Sequence, residues 1–525
     1  MRPTSTLAAL LLIFALPATA ADPAYDLIVA GGMVYDGTGA APQRADVGVR
    51  GDKIVRVGDL ANAIASRRIA AAGLAVAPGF IDLHAHLDPL ERLPAAESAV
   101  RQGVTTALGG PDGDCPLPLG EYLTRLEKLP LGINVAFLAG HGAVRRSVLK
   151  LVDRAPTTAE LATMENLVAQ AMRDGAFGLS TGLKYLPGTF AQTDEIIALA
   201  RVAARAGGIY TSHLREEGLQ LLPAVREAIA IGREARIPIV LTHHKVVGQP
   251  SWGASTRTLK LVDEARAAGL DVMIDQYPYT ASYTSISVLI PSWALAGGAS
   301  GFKERAADPA QRAKMKTEII EAILTDRGAG DIARVQFSRV DWNRALEGRT
   351  LRDWAVERGL APTPENGADL VIAAQLAGGA GCVFHAMNDE DVERIMRHPQ
   401  TMIASDGRLS QPGEGVPHPR GYGTFPRVLG RYVREKHVLT FEAAIHKMTL
   451  LPARRLGLAD RGRIAVGAQA DLVVFDPATV RDTATFEQPH QYPEGIPIVI
   501  VNGMVTVDAG KLTAARSGRV LRRTP

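Results

Sequence analysis

The sequence predicts an α/β protein, a (β/α)8 TIM barrel inserted into a small β-sandwich domain built from both chain ends. Three observations carry that expectation. Short strand-like runs of one texture occupy the two ends of the chain. Between them, eight short apolar runs alternate with amphipathic helical stretches. Histidines and aspartates stand at the ends of those runs, where a barrel gathers the residues of its active face. The 525 residues are enough for more than one structural unit, and 46% apolar with 22% charged residues is ordinary for a globular chain. A formal net charge of +3 without a block of like charges gives no footing to a nucleic-acid partner, so a small molecule is the expected one. Oligomeric state is not legible in the sequence.

Residues 1–21 read as a signal peptide. Arg2 precedes an apolar run over residues 7–17, and Ala18-Thr19-Ala20 has the small-x-small form that signal peptidase accepts. The run is too short to span a bilayer, and no other stretch is a membrane-span candidate. The expectation is a mature chain starting near Ala21 or Asp22, secreted or periplasmic. Export permits a disulfide, but Cys115 and Cys382 are far apart in sequence and are the only two, so their pairing stays open.

The small β-domain is assigned to residues 22–77 and 452–525. On the N-terminal side the runs Asp26-Leu27-Ile28-Val29, Ala45-Asp46-Val47-Gly48-Val49 and Lys53-Ile54-Val55-Arg56-Val57 are punctuated by Gly31-Gly32 and Gly51-Asp52, as hairpin turns would be. The C-terminal runs are Ala470-Asp471-Leu472-Val473-Val474-Phe475 and Ile498-Val499-Ile500-Val501-Asn502-Gly503. Neither half has strands enough for a good sheet alone, so the economical reading joins them. Residues 78–451 form the barrel, with strands expected at 80–86, 105–110, 134–141, 178–181, 209–213, 237–243, 272–277 and 402–406. Stretches such as 195–206 and 224–235 have the apolar period of helices that cover it. The length exceeds the roughly 250 residues typical of such a barrel. The excess falls around residues 291–380, in the last strand-to-strand interval, and reads as an inserted subdomain over the active face.

The run Pro78-Gly79-Phe80-Ile81-Asp82-Leu83-His84-Ala85-His86-Leu87-Asp88 reads as a short buried strand that turns two imidazoles to one side. Two neutral imidazoles a few ångströms apart are natural ligands of a divalent metal. Asp112 follows the second expected strand, and His141, His213, His243 and Asp406 end the third, fifth, sixth and eighth. A barrel brings all these ends to one pocket, and five of only 12 histidines at such places are not explained by packing. His141 reads equally well as a structural histidine.

These strand ends lie within longer runs: Gly79-Phe80-Ile81-Asp82-Leu83-His84-Ala85-His86, Gly103-Val104-Thr105-Thr106, Gly175-Ala176-Phe177-Gly178-Leu179-Ser180-Thr181-Gly182-Leu183 and Tyr210-Thr211-Ser212-His213. Further on come Thr242-His243-His244-Lys245, Asp275-Gln276-Tyr277-Pro278-Tyr279, Ala404-Ser405-Asp406-Gly407, His418-Pro419-Arg420 and Gly423-Thr424-Phe425-Pro426-Arg427-Val428-Leu429-Gly430. On these runs the chain resembles the amidohydrolase superfamily, and within it the N-acyl-D-amino-acid deacylase (D-aminoacylase) family, over nearly the whole mature chain. The resemblance implies a zinc-dependent amide hydrolase holding one or two ions. Carried over position by position, it makes His84 and His86 ligands of one metal position and His213 and His243 ligands of a second, tighter one. Asp406 becomes the metal-linked catalytic carboxylate that takes a proton from water. The family usually places a cysteine in a Gly-Asn-Cys-Gly turn after the second strand, whereas this chain has Gly110-Pro111-Asp112-Gly113. Zinc accepts carboxylate as well as thiolate, so Asp112 is the expected replacement ligand, with Cys115 as the alternative.

An N-acyl amino acid carries a free carboxylate that needs partners. Lys245, Tyr277 and Arg420 are the cationic and phenolic candidates, and the resemblance gives those motif positions this role, with Tyr185 near the scissile group. The implied reaction is hydrolysis of the amide bond to a carboxylate and a free amino acid, and D-configuration comes from the resemblance alone. Alternatives are other amides, namely N-acyl-L-amino acids, long-chain N-acyl amino acids or dipeptides, and a non-catalytic barrel with a binding role. The chemistry needs no serine or cysteine nucleophile. Without a second cationic motif near the strand ends, apolar side chains are the expected substrates. Tyr283 stands where the family usually has a small hydroxyl residue and would reshape the pocket.

Overall fold

The computed structural model describes residues 24–523; the expected signal segment, residues 1–21, lies outside them. Strands from both chain ends form one nine-stranded sheet, in which Leu472–Phe475 pairs antiparallel with Ala75–Pro78. The period-2 alternation of this central strand buries it twice. Leu472 and Val474 enter the small domain's core with Val29, Val47 and Ile500, while Val473 and Phe475 join the barrel core from the opposite face. The expected sandwich is one continuous sheet because its first strand, Tyr25–Val34, serves both halves. The first part of that strand pairs with Ala65–Ala70 and its end with Ala75–Pro78.

Gly31-Gly32 is not the hairpin turn its composition suggested. It lies inside Tyr25–Val34, at a register shift between Val29 and Gly32. Gly31 has φ +74°, and a Cβ at Gly32 would meet Val76 Cγ2 at 2.4 Å, so the pair permits a bulge under a closely crossing strand. Gly51-Asp52 is a turn, with Arg50 opposite Lys53.

The eight barrel strands are Phe80–Asp82, Val104–Gly109, Asn134–Phe137, Gly178–Gly182, Ile209–His213, Ile239–Leu241, Val272–Gln276 and Thr401–Ile403. The first three pair in parallel, as do the last five. The expected third strand is interrupted at Leu138, and Ala139–Gly140 then turns to pair with the fourth. The first and eighth strands close the barrel through a side chain: Ser405 N and Oγ donate to the Asp82 carboxylate at 2.9 and 2.5 Å. Asp406 N also donates to His84 O at 2.8 Å. The first strand therefore ends at Asp82, four residues short of its expected end, and Ala85–His86 pairs instead with Gly407–Arg408. Around the barrel, helices such as Thr193–Arg205 bury one stripe, here Ile196, Leu199, Ala200 and Ala203, spaced as an amphipathic helix requires. Among the described residues, no helix is long and apolar enough to cross a membrane.

The subdomain inserted before the last barrel strand is an antiparallel sheet of Ser282–Ser285, Gly381–Phe384 and Val335–Arg339, covered by helices including Pro309–Thr325 and Pro364–Leu376. Ile319, Phe337, Trp354, Val371 and Phe384 give it a core of its own. It starts at Ser282 rather than near residue 291. Ser282–Ser285 is polar and mostly half-exposed, so it has no apolar run by which a strand can be read.

Candidate metal centre

At the C-terminal mouth of the barrel the strand ends bring together six of the residues singled out above. His84, His86, Asp112 and Asp406 form one group, and Asp112, His213 and His243 a second; in each, one candidate ligand atom per residue lies within 4.8 Å of the others. Asp112 belongs to both. Its Oδ1 is 3.5 Å from His84 Nε2, 3.7 Å from His213 Nδ1 and 3.3 Å from His243 Nε2, and its Oδ2 is 3.6 Å from His86 Nε2. Asp406 Oδ1 lies 3.1 Å from His86 Nε2 and 3.5 Å from His84 Nε2.

The backbone is bent to achieve this. Asp112, His243 and Asp406 have φ of +54°, +35° and +48°, a region that costs an L-residue energy and clusters at functional sites. His243 is held by its own N–H, which donates to Asp275 Oδ1 at 2.6 Å. The Asp112 loop lies flat against the fourth strand because Gly113 and Gly182 have no side chains: a Cβ on Gly182 would meet Asp112 O at 2.1 Å.

The donor set fits a divalent cation. Both ring nitrogens of His84 and His213, Asp112 Oδ1 and His243 Nε2 are buried without a hydrogen-bond partner in the protein, a state that costs free energy unless a ligand satisfies it. The electrostatics agree. Burial works against ionisation of Asp112 and Asp406, but His84 and His243 hold Asp112 well below the usual carboxylate range, and Arg420 and His84 do the same for Asp406. Burial disfavours charge on His84, yet Asp112 and Asp406 raise its imidazole to about 9, so a proton there competes with a metal for one lone pair. Burial, Lys245 and His213 push His243 down to about 3, keeping it neutral as a ligand must be.

A cavity of about 1180 Å³ opens onto this cluster, lined by His86, Asp112, Tyr185, Asp406 and Arg420 from the barrel and by Tyr283, Arg339 and Arg344 from the inserted subdomain. Arg420 Nη1 is 2.7 Å from Asp406 Oδ2, and the Tyr185 ring lies 4.4 Å from that of His213. Lys245 and Tyr277, expected beside them, sit one layer beneath the cavity wall. Lys245 Nζ donates to Glu217 Oε1 at 2.5 Å and lies 2.7 Å from His243 Nδ1. The Tyr277 ring supports the Arg420 guanidinium at 4.7 Å, and its hydroxyl faces Met387 Sδ at 3.8 Å. The expectation that no further cation faces the pocket is overturned: Arg339 and Arg344 reach it from the insert and Arg408 from beyond the eighth strand.

The remaining sequence candidates are structural. His141 Nε2 lies 2.8 Å from Glu195 Oε1, inside a fully buried group with Arg145, and opens the helix His141–Leu149. Cys115 belongs to neither ligand group; it is buried, and its Sγ accepts the Gly140 N–H at 3.1 Å. Cys115 and Cys382 are both buried and unbonded to each other. The run Gly178-Leu179-Ser180-Thr181-Gly182 does have the spacing of a serine-nucleophile elbow. It is a barrel strand, however, and Ser180 Oγ is fully buried, donating to Gly110 O at 2.6 Å and accepting from Gly113 N at 3.1 Å. Glu217, Asp275 and Arg327 were not singled out from the sequence, yet all three are buried against the cluster. Glu217 follows His213 by four residues, the only local signal it offers.

The profile of the amidohydrolase family matches residues 67–507. The chain is similar to the D-aminoacylase of Alcaligenes xylosoxydans xylosoxydans, 39% identical over 527 residues that cover 95% of this chain and 98% of that one. It is similar, too, to the crystal structure of N-acyl-D-glutamate deacylase from Bordetella bronchiseptica complexed with zinc and a phosphonate inhibitor that mimics the tetrahedral intermediate. The TM-score is 0.82, with 36% identity over 95% of this chain and 99% of that one. A structure of D-aminoacylase described by its binuclear metal centre, with one-metal activation and second-metal attenuation, superposes at a TM-score of 0.81, with 37% identity over 95% of this chain and 100% of that one.

Proposed function

Because the chain belongs to the amidohydrolase family and is a zinc-dependent hydrolase of amides, we propose that it cleaves N-acyl-D-amino acids into a carboxylic acid and a free D-amino acid. The observation that carries this reading is the placement of a guanidinium, Arg420, 2.7 Å from the carboxylate of Asp406 at the rim of the histidine–aspartate cluster. An amide substrate that carries its own carboxylate meets a cation there, one atom group away from the groups that act on the amide. The D-configuration rests on the relatives, which are D-aminoacylase and N-acyl-D-glutamate deacylase.

His84, His86 and Asp406 would hold zinc at one position, His213 and His243 at the other, with Asp112 shared between them. Bound there, zinc supplies Lewis-acid activation of water and of the scissile carbonyl. Asp406, kept ionised by Arg420 and His84 against the pull of burial, accepts the proton of the attacking water at Oδ1 and returns it to the leaving nitrogen. Arg420 binds the substrate carboxylate, with the Tyr277 ring beneath it to fix the guanidinium plane. Lys245 assists that carboxylate once it turns from His243 Nδ1 toward the cavity. Tyr185, on the cavity wall beside His213, faces the scissile group and helps to exclude water from it.

A paired panel tests this: N-acetyl and longer N-acyl derivatives of D- and L-Leu, Met and Glu, each as free acid and as amide, assayed with the zinc-loaded protein. Losing one partner of a desolvated ion pair costs roughly 3–5 kcal/mol, so the amides are expected to lose hundreds-fold or more in kcat/KM, with D-acids preferred. Equal rates on acid and amide would remove Arg420 from carboxylate binding, and turnover of L-forms alone would break the D-assignment. The arginines on the cavity wall remove the argument for purely apolar side chains, so D-Glu derivatives belong in the panel beside D-Leu and D-Met.

Export to the periplasm or medium is part of the proposal, supported by Arg2, the apolar run of residues 7–17 and Ala18-Thr19-Ala20. N-terminal sequencing of the protein from its exporting host is expected to begin at Ala21 or Asp22, and an N-terminus that retains residue 1 would count against it.

A further inference from the structure

Glu217 is 2% exposed and takes no part in the hydrolysis outlined above. Its two carboxylate oxygens face two different imidazoles. Oε2 lies 3.6 Å from His213 Nε2, and Oε1 lies 3.5 Å from His243 Nδ1. The opposite nitrogen of each ring faces Asp112, His213 Nδ1 at 3.7 Å and His243 Nε2 at 3.3 Å. A neutral imidazole has one lone pair and one N–H. If both lone pairs point at a cation beside Asp112, the His213 N–H points at Glu217, and the His243 N–H does so once Lys245 Nζ, 2.7 Å from Nδ1, turns toward the cavity. A single carboxylate is thus in place to set the tautomer and orientation of two ligands at once, a task usually divided among separate partners.

The carboxylate is itself held from two sides. Lys245 Nζ donates to Oε1 at 2.5 Å, and Arg327 Nη2 donates to Oε2 at 2.5 Å. Arg327 comes from the inserted subdomain, just after the helix Pro309–Thr325, and is also 2% exposed. Its Nη1 donates to Ser282 Oγ at 2.8 Å, at the start of that subdomain's sheet. Buried hydrogen bonds therefore run from the insert through Arg327 to Glu217, whose oxygens stand 3.5–3.6 Å from His213 and His243.

We propose that Glu217 is the shared positioning residue of His213 and His243, and that Arg327 makes metal retention at those two histidines depend on the docked inserted subdomain. The proposal rests on the zinc assignment made above. It predicts a weakness confined to one metal position, which a general loss of stability would not produce.

Zinc affinity, measured by chelator competition, tests this in Glu217→Gln, Arg327→Met and Arg327→Lys variants. Each is made in the parent, in a His84→Asn, His86→Asn background and in a His213→Asn, His243→Asn background. Glu217→Gln and Arg327→Met are each expected to weaken zinc roughly tenfold to a hundredfold in the parent and in the first background, and to change nothing in the second. Arg327→Lys, which keeps the charge, is expected to recover most of the affinity. Equal weakening in both backgrounds, or an unchanged affinity beside a lowered melting temperature, would make Glu217 a merely structural residue and overturn the proposal. Where Glu217→Gln does not fold, Arg327→Met carries the same expectations and the same refutation. A parent that holds no zinc at His213 and His243 refutes the zinc assignment instead, so the two failures are told apart.

Discussion

At the scale of single residues, Asp112 decides the character of the centre. It stands where the resemblance led to the expectation of a cysteine, yet its carboxylate does more than replace one thiolate, since its two oxygens face all four histidines of the cluster. The left-handed backbone that carries it is one that Asp tolerates better than most residues. Asp112→Asn keeps the size and one carbonyl oxygen but removes the charge. It is expected to lower zinc affinity at both positions, whereas a His213→Ala or His84→Ala change lowers it at one. Zinc content per chain and chelator competition measure this. An Asn variant that retains both zinc content and activity would reduce Asp112 to a turn-forming residue.

At the scale of elements, the helix Phe441–Met448 shows how a charge can serve as an anchor. Lys447, 5% exposed in its last turn, donates to His398 O at 2.5 Å and Thr401 O at 3.0 Å, fixing the helix to the start of the eighth barrel strand. Burial lowers its ammonium to about 8. The unfolded chain, with an ordinary lysine near 10.4, binds a proton that the folded chain does not between those two values, so stability from this group rises with pH across that window. Below about pH 8 both states are charged and the folded state bears the full cost, about 3 kcal/mol for a shift of this size. Lys447→Met abolishes that dependence while adding a constant cost for the two freed carbonyls. The melting-temperature difference, variant minus parent, is therefore expected to fall steadily from pH 7.5 to 10.5. A difference that stays flat over that range would show that Lys447 is not the titrating group.

At the scale of the whole molecule, the barrel is closed at both ends by segments distant in sequence. Below, Asn134 at the foot of the third strand accepts from Asn502 Nδ2 at 2.7 Å. Asn502 in turn accepts from Arg461 and donates its N–H to Asp471 Oδ1 at 2.8 Å. The C-terminal tail adds backbone bonds, Val135 N to Arg519 O and Leu521 N to Val135 O. The small β-domain is thereby tied to the barrel by polar groups as well as by the twice-buried strand Leu472–Phe475. Above, the inserted subdomain roofs the cavity with Tyr283, Arg339 and Arg344 and reaches the metal cluster through Arg327. The cavity wall and the buried contact with Glu217 thus belong to one subdomain.

The amino-acid sequence by itself determined the alternation of strands and helices, the mixed origin of the β-domain and the placement of His84, His86, His213, His243 and Asp406 at or just beyond strand ends. Those features are local: an apolar period states which face of an element is buried, and a residue at the end of a buried parallel strand must face the barrel mouth. Only the tertiary structure decided the rest. It made Gly31-Gly32 a bulge, because the neighbouring strand that crowds Gly32 lies more than forty residues on. It made Ser180 a buried hydroxyl despite its elbow-like spacing, because Gly110 and Gly113 come from another strand end. It gave Asp112 to both metal groups and joined Glu217 to Arg327, 110 residues apart, across a subdomain boundary. Such pairings have no periodicity to announce them; they exist only once closure of the barrel and docking of the insert have set the distances through space.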